Sequence, residues 1–336
     1  MRAGALAMAV IAAAMTAGSG HAAEPPPRPI EVGRVSGLKD ILLRNGAVRV
    51  QAETGDYEIL DLPDGNLGLA PVAAPERMPV PADIIPHAAI VPGARDIRAA
   101  WLAGPTERYR HGVLGDAIEA ATLKVETAGG DILAYQLPDH AVFEDLTPRL
   151  VDLDGDGRDE ILVVRSSAGL GAAIVMLAVR DGNLQLIAEA PPIGRANRWL
   201  NPVGAGDFDG DGRKEIAVVQ TPHIGGVLIL YRVEGRRLVE MARAHGYATH
   251  VIGSTVLGMA SVLDLDGNGA DDIVLPDQTR GRLVAVGYAD QALRVLWAVP
   301  QRATVATSIV LADLDRNGAA DIVYGLSDGS VWMLPR

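Results

Sequence analysis

Carboxylates recur in this chain in one short frame: DLDGDGRDE from Asp152, DFDGDGRKE from Asp207, DLDGNGADD from Asp264 and DLDRNGAAD from Asp313. Acidic or amide oxygens stand at positions 1, 3 and 5, and an acid returns at position 9. Alternate residues of a tight turn can aim their oxygens at one centre, and the glycine at position 6 permits the reversal that brings the last acid round. Hard oxygen donors without His or Cys select calcium over zinc or copper, and over magnesium, which keeps its waters and wants a stricter octahedron. The expected side-chain ligands are Asp152, Asp154, Asp156 and Glu160; Asp207, Asp209, Asp211 and Glu215; Asp264, Asp266, Asn268 and Asp272; and Asp313, Asp315, Asn317 and Asp321. The carbonyls of Arg158, Arg213, Ala270 and Ala319 complete the sets. Arg316 replaces a glycine of the other loops, so the fourth site is expected to be weak or empty. Three to four structural Ca2+ ions are expected in all.

An EF-hand opens in the same way but needs a bidentate Glu at position 12 and a helix on each side. Here position 12 is Val163, Val218, Leu275 or Tyr324, and the flanks are β-rich: ILVV, IAVV, IVL and IVY follow the loops. Asp-Gly and Asn-Gly also suit plain hairpins. A bare hairpin, however, does not call for acids at 1, 3 and 9 four times over.

The elements that must hold these loops repeat with them, about every 50 residues. After the first loop come EILVVRS, AAIVMLAVRD and NLQLIAEA; after the second, EIAVVQ, GVLILYRVEG and RRLVEMAR; after the third, DIVLP, RLVAVGYAD and ALRVLWAV. Each unit therefore reads as four short strands, with the metal loop joining the first to the second. Such units resemble the FG-GAP or VCBS repeat family, the calcium-loop β-propeller also seen at the head of integrin α chains. PVGAGDFDGDGRKEIAVVQTP, residues 202–222, is the best match, and the resemblance is specific over 146–336.

It implies an all-β fold: a β-propeller of four-stranded blades, six by count with seven possible. Residues 86–145 form a blade without a metal loop, since PHAAIVPGARDIRAAWLAGPT from Pro86, with Arg95-Asp96-Ile97 in place of Arg158-Asp159-Glu160-Ile161, lacks the loop's acids, and 24–85 hold a degenerate first blade. The last blade stops one strand short after SVWMLPR, so a strand lent by the N-terminal part closes the ring and removes an open sheet edge. IEVGRV, DILLRN, AVRVQAE and YEILDL are the candidates.

Composition narrows the chemistry. The 336 residues carry 42 acids against 30 bases, a net charge of -12, which disfavours nucleic acid and anionic lipid as partners. There is no cysteine, so disulfides, thiol nucleophiles and cysteine-ligated zinc are excluded. The opening MRAGALAMAVIAAAMTAGSGHAA joins an early cation, a short apolar run and small residues, which reads as a signal peptide over 1–23. The expectation is an exported protein, periplasmic or extracellular, that is monomeric and does not insert into a membrane, with residues 24–336 as one domain.

No convincing catalytic constellation emerges. Gly325-Leu326-Ser327-Asp328-Gly329 matches GxSxG, but a strand follows where a nucleophile elbow needs a helix. Phe143, Glu144, Asp145, Trp199, Asn201 and His250 fall in connections expected to gather on one face, where a propeller binds ligands. The first reading is a non-catalytic binding or scaffold module for an unknown protein or glycan ligand. The alternative is a polysaccharide lyase or hydrolase using His250 with Glu144 or Asp145.

Overall fold

Turn-forming Asp-Gly, Glu-Gly and Asn-Gly pairs cut the apolar sequence into short segments, and these become strands with no helix among the described residues. The computed structural model describes residues 28–61, 66–75 and 80–336; the expected signal peptide lies outside the described residues. No described helix is long and apolar enough to cross a membrane.

Strand β1 (Ile30–Arg34) is followed by an antiparallel sheet of β2 (Leu38–Arg44), β3 (Ala47–Ala52), β4 (Gly55–Asp61) and β5 (Leu67–Val72). A second meander comprises β6 (Val91–Pro92), β7 (Ile97–Thr106), β8 (Glu119–Thr127) and β9 (Ile132–Gln136). The short β10 (Ala141–Phe143) pairs with both β8 and the following unit. That unit is β11 (Arg149–Val151), β12 (Glu160–Ser167), β13 (Gly171–Arg180) and β14 (Asn183–Glu189). The next holds β15 (Leu200–Gly206), β16 (Glu215–Gln220), β17 (Val227–Glu234) and β18 (Arg237–His245). Then come β19 (Ser261–Leu263), β20 (Asp272–Pro276), β21 (Arg282–Ala289) and β22 (Ala292–Pro300). The last three strands are β23 (Val310–Ala312), β24 (Asp321–Gly325) and β25 (Ser330–Leu334). The fourth strand of their sheet is β1, antiparallel to β25 with Ile30 opposite Met333 and Arg34 opposite Ser330.

The sequence of each second strand explains its place. Residues 216–219, 273–276 and 322–325 are buried on both faces, as a continuous apolar run requires. Apolar clusters then join the units in series. Ile161, Leu177, Val218 and Ile229 share one cluster; Phe208, Leu228, Ile273 and Val286 share the next. Leu263, Ile322, Tyr324 and Leu334 form a third, and Ile41, Val50, Val323 and Met333 pack the β2–β5 sheet against the last one.

Two glycines show why the third strand of a unit starts where it does. Gly171 has φ +71°, and a Cβ there would lie 2.2 Å from the Arg195 carbonyl oxygen. Gly329 has φ +85°, with a Cβ 2.2 Å from the Val35 carbonyl oxygen. The connection entering the neighbouring unit passes against the bare backbone at both places, so only glycine fits.

Candidate metal centres and a buried histidine cluster

The four acidic loops join β11 to β12, β15 to β16, β19 to β20 and β23 to β24. One hydrogen-bond pattern builds them all. The position-1 carboxylate accepts the position-6 amide: Gly157 to Asp152 at 3.1 Å, Gly212 to Asp207 at 2.8 Å, Gly269 to Asp264 at 2.9 Å and Gly318 to Asp313 at 3.1 Å. The position-9 carboxylate reaches back to the amide of position 2: Leu153, Phe208, Leu265 and Leu314 donate at 2.9–3.1 Å to Glu160, Glu215, Asp272 and Asp321. The ends of each loop are thereby drawn together.

The outcome is four triads, Asp152/Asp154/Glu160, Asp207/Asp209/Glu215, Asp264/Asp266/Asp272 and Asp313/Asp315/Asp321. In each, one oxygen per residue lies within 4.8 Å of the others, a spacing that could hold a metal ion. Asp156 and Asp211, expected as ligands, stand outside the triads. Their carboxylates accept the amides of Arg158 and Arg213 at 2.8 and 2.9 Å, and Asn268 and Asn317 do the same for Ala270 and Ala319 at 2.7 Å. Position 5 thus closes a local Asx turn.

The donor set fits a divalent cation electrostatically. Glu215 is pushed up to about 7 by burial and then by Asp209, and Asp272 up to about 7 by burial with Asp266 and Asp264 opposing its ionisation. Glu215 Oε1 is buried with no hydrogen-bond partner. Arginines stand beside two triads: Arg180 lies 3.1 Å from Glu160, and Arg232 pairs with Asp209 and lies 3.5 Å from Glu215. In the third loop, the residue opposite Asp272 is Gly287, where a Cβ would come 2.7 Å from Asp272 Oδ1.

The fourth loop differs at Arg316, which holds φ +60° where Gly155, Gly210 and Gly267 sit at +75°, +72° and +73°. A side chain in that region costs about 1–2 kcal/mol. Its partner, Asp61 at 2.6 Å, is an exposed pairing that returns little. Arg316→Gly is therefore expected to stabilise the protein by about 1 kcal/mol in thermal melts and to raise the occupancy of the fourth site.

The six residues expected on the ligand face come together, but inside the protein. Phe143, Glu144, Asp145, Trp199, Asn201 and His250 are all at most 1% exposed, and Phe143 and Asn201 belong to β10 and β15 rather than to connections. His250 does not pair with Glu144 or Asp145. Its Nε2 meets the Ser254 carbonyl at 2.9 Å and its ring packs on Trp199 at 4.8 Å, while the Trp199 indole donates to the Glu144 carbonyl at 2.8 Å. Asp145 is held by Arg149 and by the Leu146, Thr147 and Val164 amides.

The histidine that meets Glu144 is His111, whose Nδ1 lies 2.5 Å from Oε1, with Ser166 donating to Oε2. Sequence reasoning missed His111, Ser166, Glu119 and His223. His223 sits 5.8 Å from the His250 ring. Burial, with nearby positive charge, holds both imidazoles below their ordinary range, His250 at about 4.

Glu119, 2% exposed, is pushed up to about 9 by burial and then by Glu144. Its folded pKa exceeds its unfolded one, so the stability it contributes is full below about pH 4.5 and is lost as pH rises toward 9. At one pH unit per 1.36 kcal/mol, the loss by pH 7 is at most about 3 kcal/mol. Glu119→Gln is expected to raise the melting temperature at pH 7 to 8 and to flatten the pH dependence of denaturant melts over this window.

Comparison with known proteins adds three findings. Residues 152–218, the first two acidic loops, match the FG-GAP-like repeat family, in agreement with the resemblance carried by those loops. No curated protein matches the chain in sequence. Among solved structures, it is similar to the exotype rhamnogalacturonan lyase YesX (TM-score 0.41, 14% identity, covering 93% of this chain and 51% of that one). It is also similar to a rhamnogalacturonan lyase, PL11, of Bacillus licheniformis (TM-score 0.37, 17% identity, 88% and 60%). The chain thus spans about half the length of the first and 60% of the second.

Proposed function

We propose that this chain is an exported, calcium-stabilised β-propeller that serves as a binding module for a protein or glycan ligand. Six four-stranded units make the blades, β1 closes the ring, and residues 24–336 fold as one domain. Calcium ions sit in three or four of the acidic loops, and the connections opposite those loops form the ligand face. The observation that carries this reading is the four-fold recurrence of one carboxylate triad, each built by the same backbone hydrogen bonds.

In each site, positions 1, 3 and 9 would supply carboxylate oxygens and position 7 a carbonyl. Bound calcium would neutralise acids that otherwise repel one another, so its role is structural. The test is a metal count on the full chain after dialysis against calcium. Three to four calcium ions per chain, with zinc and magnesium failing to compete, are expected; fewer than one would overturn the assignment.

A second reading, an enzyme acting on a polysaccharide, keeps one supporting observation, the His111 imidazole oriented by a wholly buried Glu144.

A further inference from the structure

Buried polar atoms almost always find partners, so a group of them without partners calls for an explanation such as a bound ligand, ion or water. Glu119 Oε1, Asn201 Oδ1, His223 Nδ1 and His250 Nδ1 are buried and unpartnered. His250 is only 1% exposed, and its Nδ1 is the ring nitrogen left over after Nε2 has met the Ser254 carbonyl. Asn201 anchors the same connection, donating to the Thr249 and Leu257 carbonyls at 3.3 and 2.9 Å.

The surrounding charge is unbalanced in one direction. Arg149, Arg165, Arg180 and Arg232 are partly buried and each faces a carboxylate. Arg198 and Arg280 are also partly buried, yet among the described residues their guanidinium groups meet only the Asn197 and Val305 carbonyls, at 2.8 and 3.2 Å. Arg198 precedes the tryptophan that stacks on His250. Arg280, held at φ +57°, belongs to a turn anchored to the His250 connection by the Gln278 amide on the Gly246 carbonyl at 2.7 Å. Of the acids nearby, Glu144 is committed to His111 and Ser166 and Asp145 to Arg149, while burial and Glu144 push Glu119 up to about 9, so that it is uncharged at neutral pH. Leu170, Ile224 and Ile252, each more than half exposed, lie on connections of the same units.

We propose that the partly buried His223, backed by the buried His250 and with Arg198 and Arg280 at its sides, forms a site that binds a ligand carrying an oxyanion. A carboxylate, or a sulfate or phosphate ester, supplies the negative charge that the arginines lack, and accepts hydrogen bonds from them. Hydroxyl groups beside the oxyanion would donate to the imidazole nitrogens. The inference rests on the proposed function only in taking this as the ligand face.

The test is calorimetric titration of the full chain, in about 1 mM calcium, with sodium glucuronate, sodium sulfate and phenyl phosphate, and with glucose as the uncharged control. Saturable binding of at least one anion at up to about 10 mM, and none of glucose, is expected. Arg198→Gln and Arg280→Gln should each weaken it about tenfold, whereas Arg294→Gln, exposed on β22, should not. Glucuronate alone binding would identify a carboxylate ligand; sulfate or phenyl phosphate binding would identify an ester. Imidazole NMR signals of His223 and His250 should move on titration of the unmodified chain, a readout that needs no variant. Absence of saturable binding by a chain shown to be folded, or an equal loss with Arg294→Gln, would overturn the proposal. A chain that binds the anion but no calcium would sink the calcium assignment and leave this site standing.

Discussion

Removing calcium from the full chain is expected to lower its melting temperature by about 8 °C. Extracellular calcium modules bind at roughly 0.1 to 1 mM, so a 0.1 mM site in about 1 mM calcium contributes about 1.4 kcal/mol. Three or four such sites give about 5 kcal/mol, which is at the lower end of a domain's whole stability. For a chain of this size, that corresponds to about 8 °C. The position-9 acids Glu160, Glu215, Asp272 and Asp321 are at most 3% exposed, so a bound cation would relieve the cost of burying their charge. Melts in EDTA and in millimolar calcium read the effect directly. Asp266→Ala, at an exposed position 3, separates metal binding from packing: it should lower the melting temperature in calcium by about a quarter of the full shift and leave the EDTA value unchanged. Equal melting temperatures with and without calcium in the unmodified chain would mean that the loops are turns and nothing more.

The acidic loops were legible because everything that builds them is local. Asp152 meets the Gly157 amide and Glu160 meets the Leu153 amide within one short frame, so residue types at fixed spacing carry the whole construction. Position 5 is less clear-cut, since an Asp or Asn there serves an Asx turn as well as a metal. The histidine cluster was only half legible. His111 and Glu144 are brought together from separate connections, and Ser166 reaches Glu144 from β12, so no spacing along the chain announces them. Trp199, Asn201 and His250 could be placed near one another because they fall in the segments that lead from one repeat unit to the next. Their burial could not be read, because it depends on how residues 107–118 pack; Val113, which accepts the Gly253 amide, is 2% exposed. The N-terminal strand was ambiguous for a different reason. Four apolar segments had the right length and alternation, and only partner geometry chooses Ile30–Arg34.

That choice sets the other large effect. A chain that begins after Val35 is expected to lose cooperative folding at room temperature, even in calcium. Without β1, the last sheet ends on β25, whose Ser330–Leu334 backbone becomes an open edge lined by buried residues. Val32 and Val35, each 6% exposed, lose about 2 kcal/mol of burial apiece. The ladder between Ile30–Arg34 and Ser330–Met333, with the Val35 amide on the Gly329 carbonyl at 2.9 Å, adds hydrogen bonds worth about 1 kcal/mol each. Together these reach about 8 kcal/mol, which equals or exceeds the stability of many domains. The exposed pairs of Arg34 and Arg302 with Asp328 and Glu31 help fix the register and contribute little more. Size-exclusion chromatography and melts of the shortened chain should show aggregation or a broad transition. A peptide spanning residues 28–36, added in excess, should restore a sharp transition, because it re-pairs the same edge. A Gly329→Ala substitution in the peptide's binding edge should prevent that rescue, since its Cβ would collide with the Val35 carbonyl. If the shortened chain instead melts sharply within a few degrees of the intact one, β1 decorates the last sheet and does not hold the two ends of the fold together.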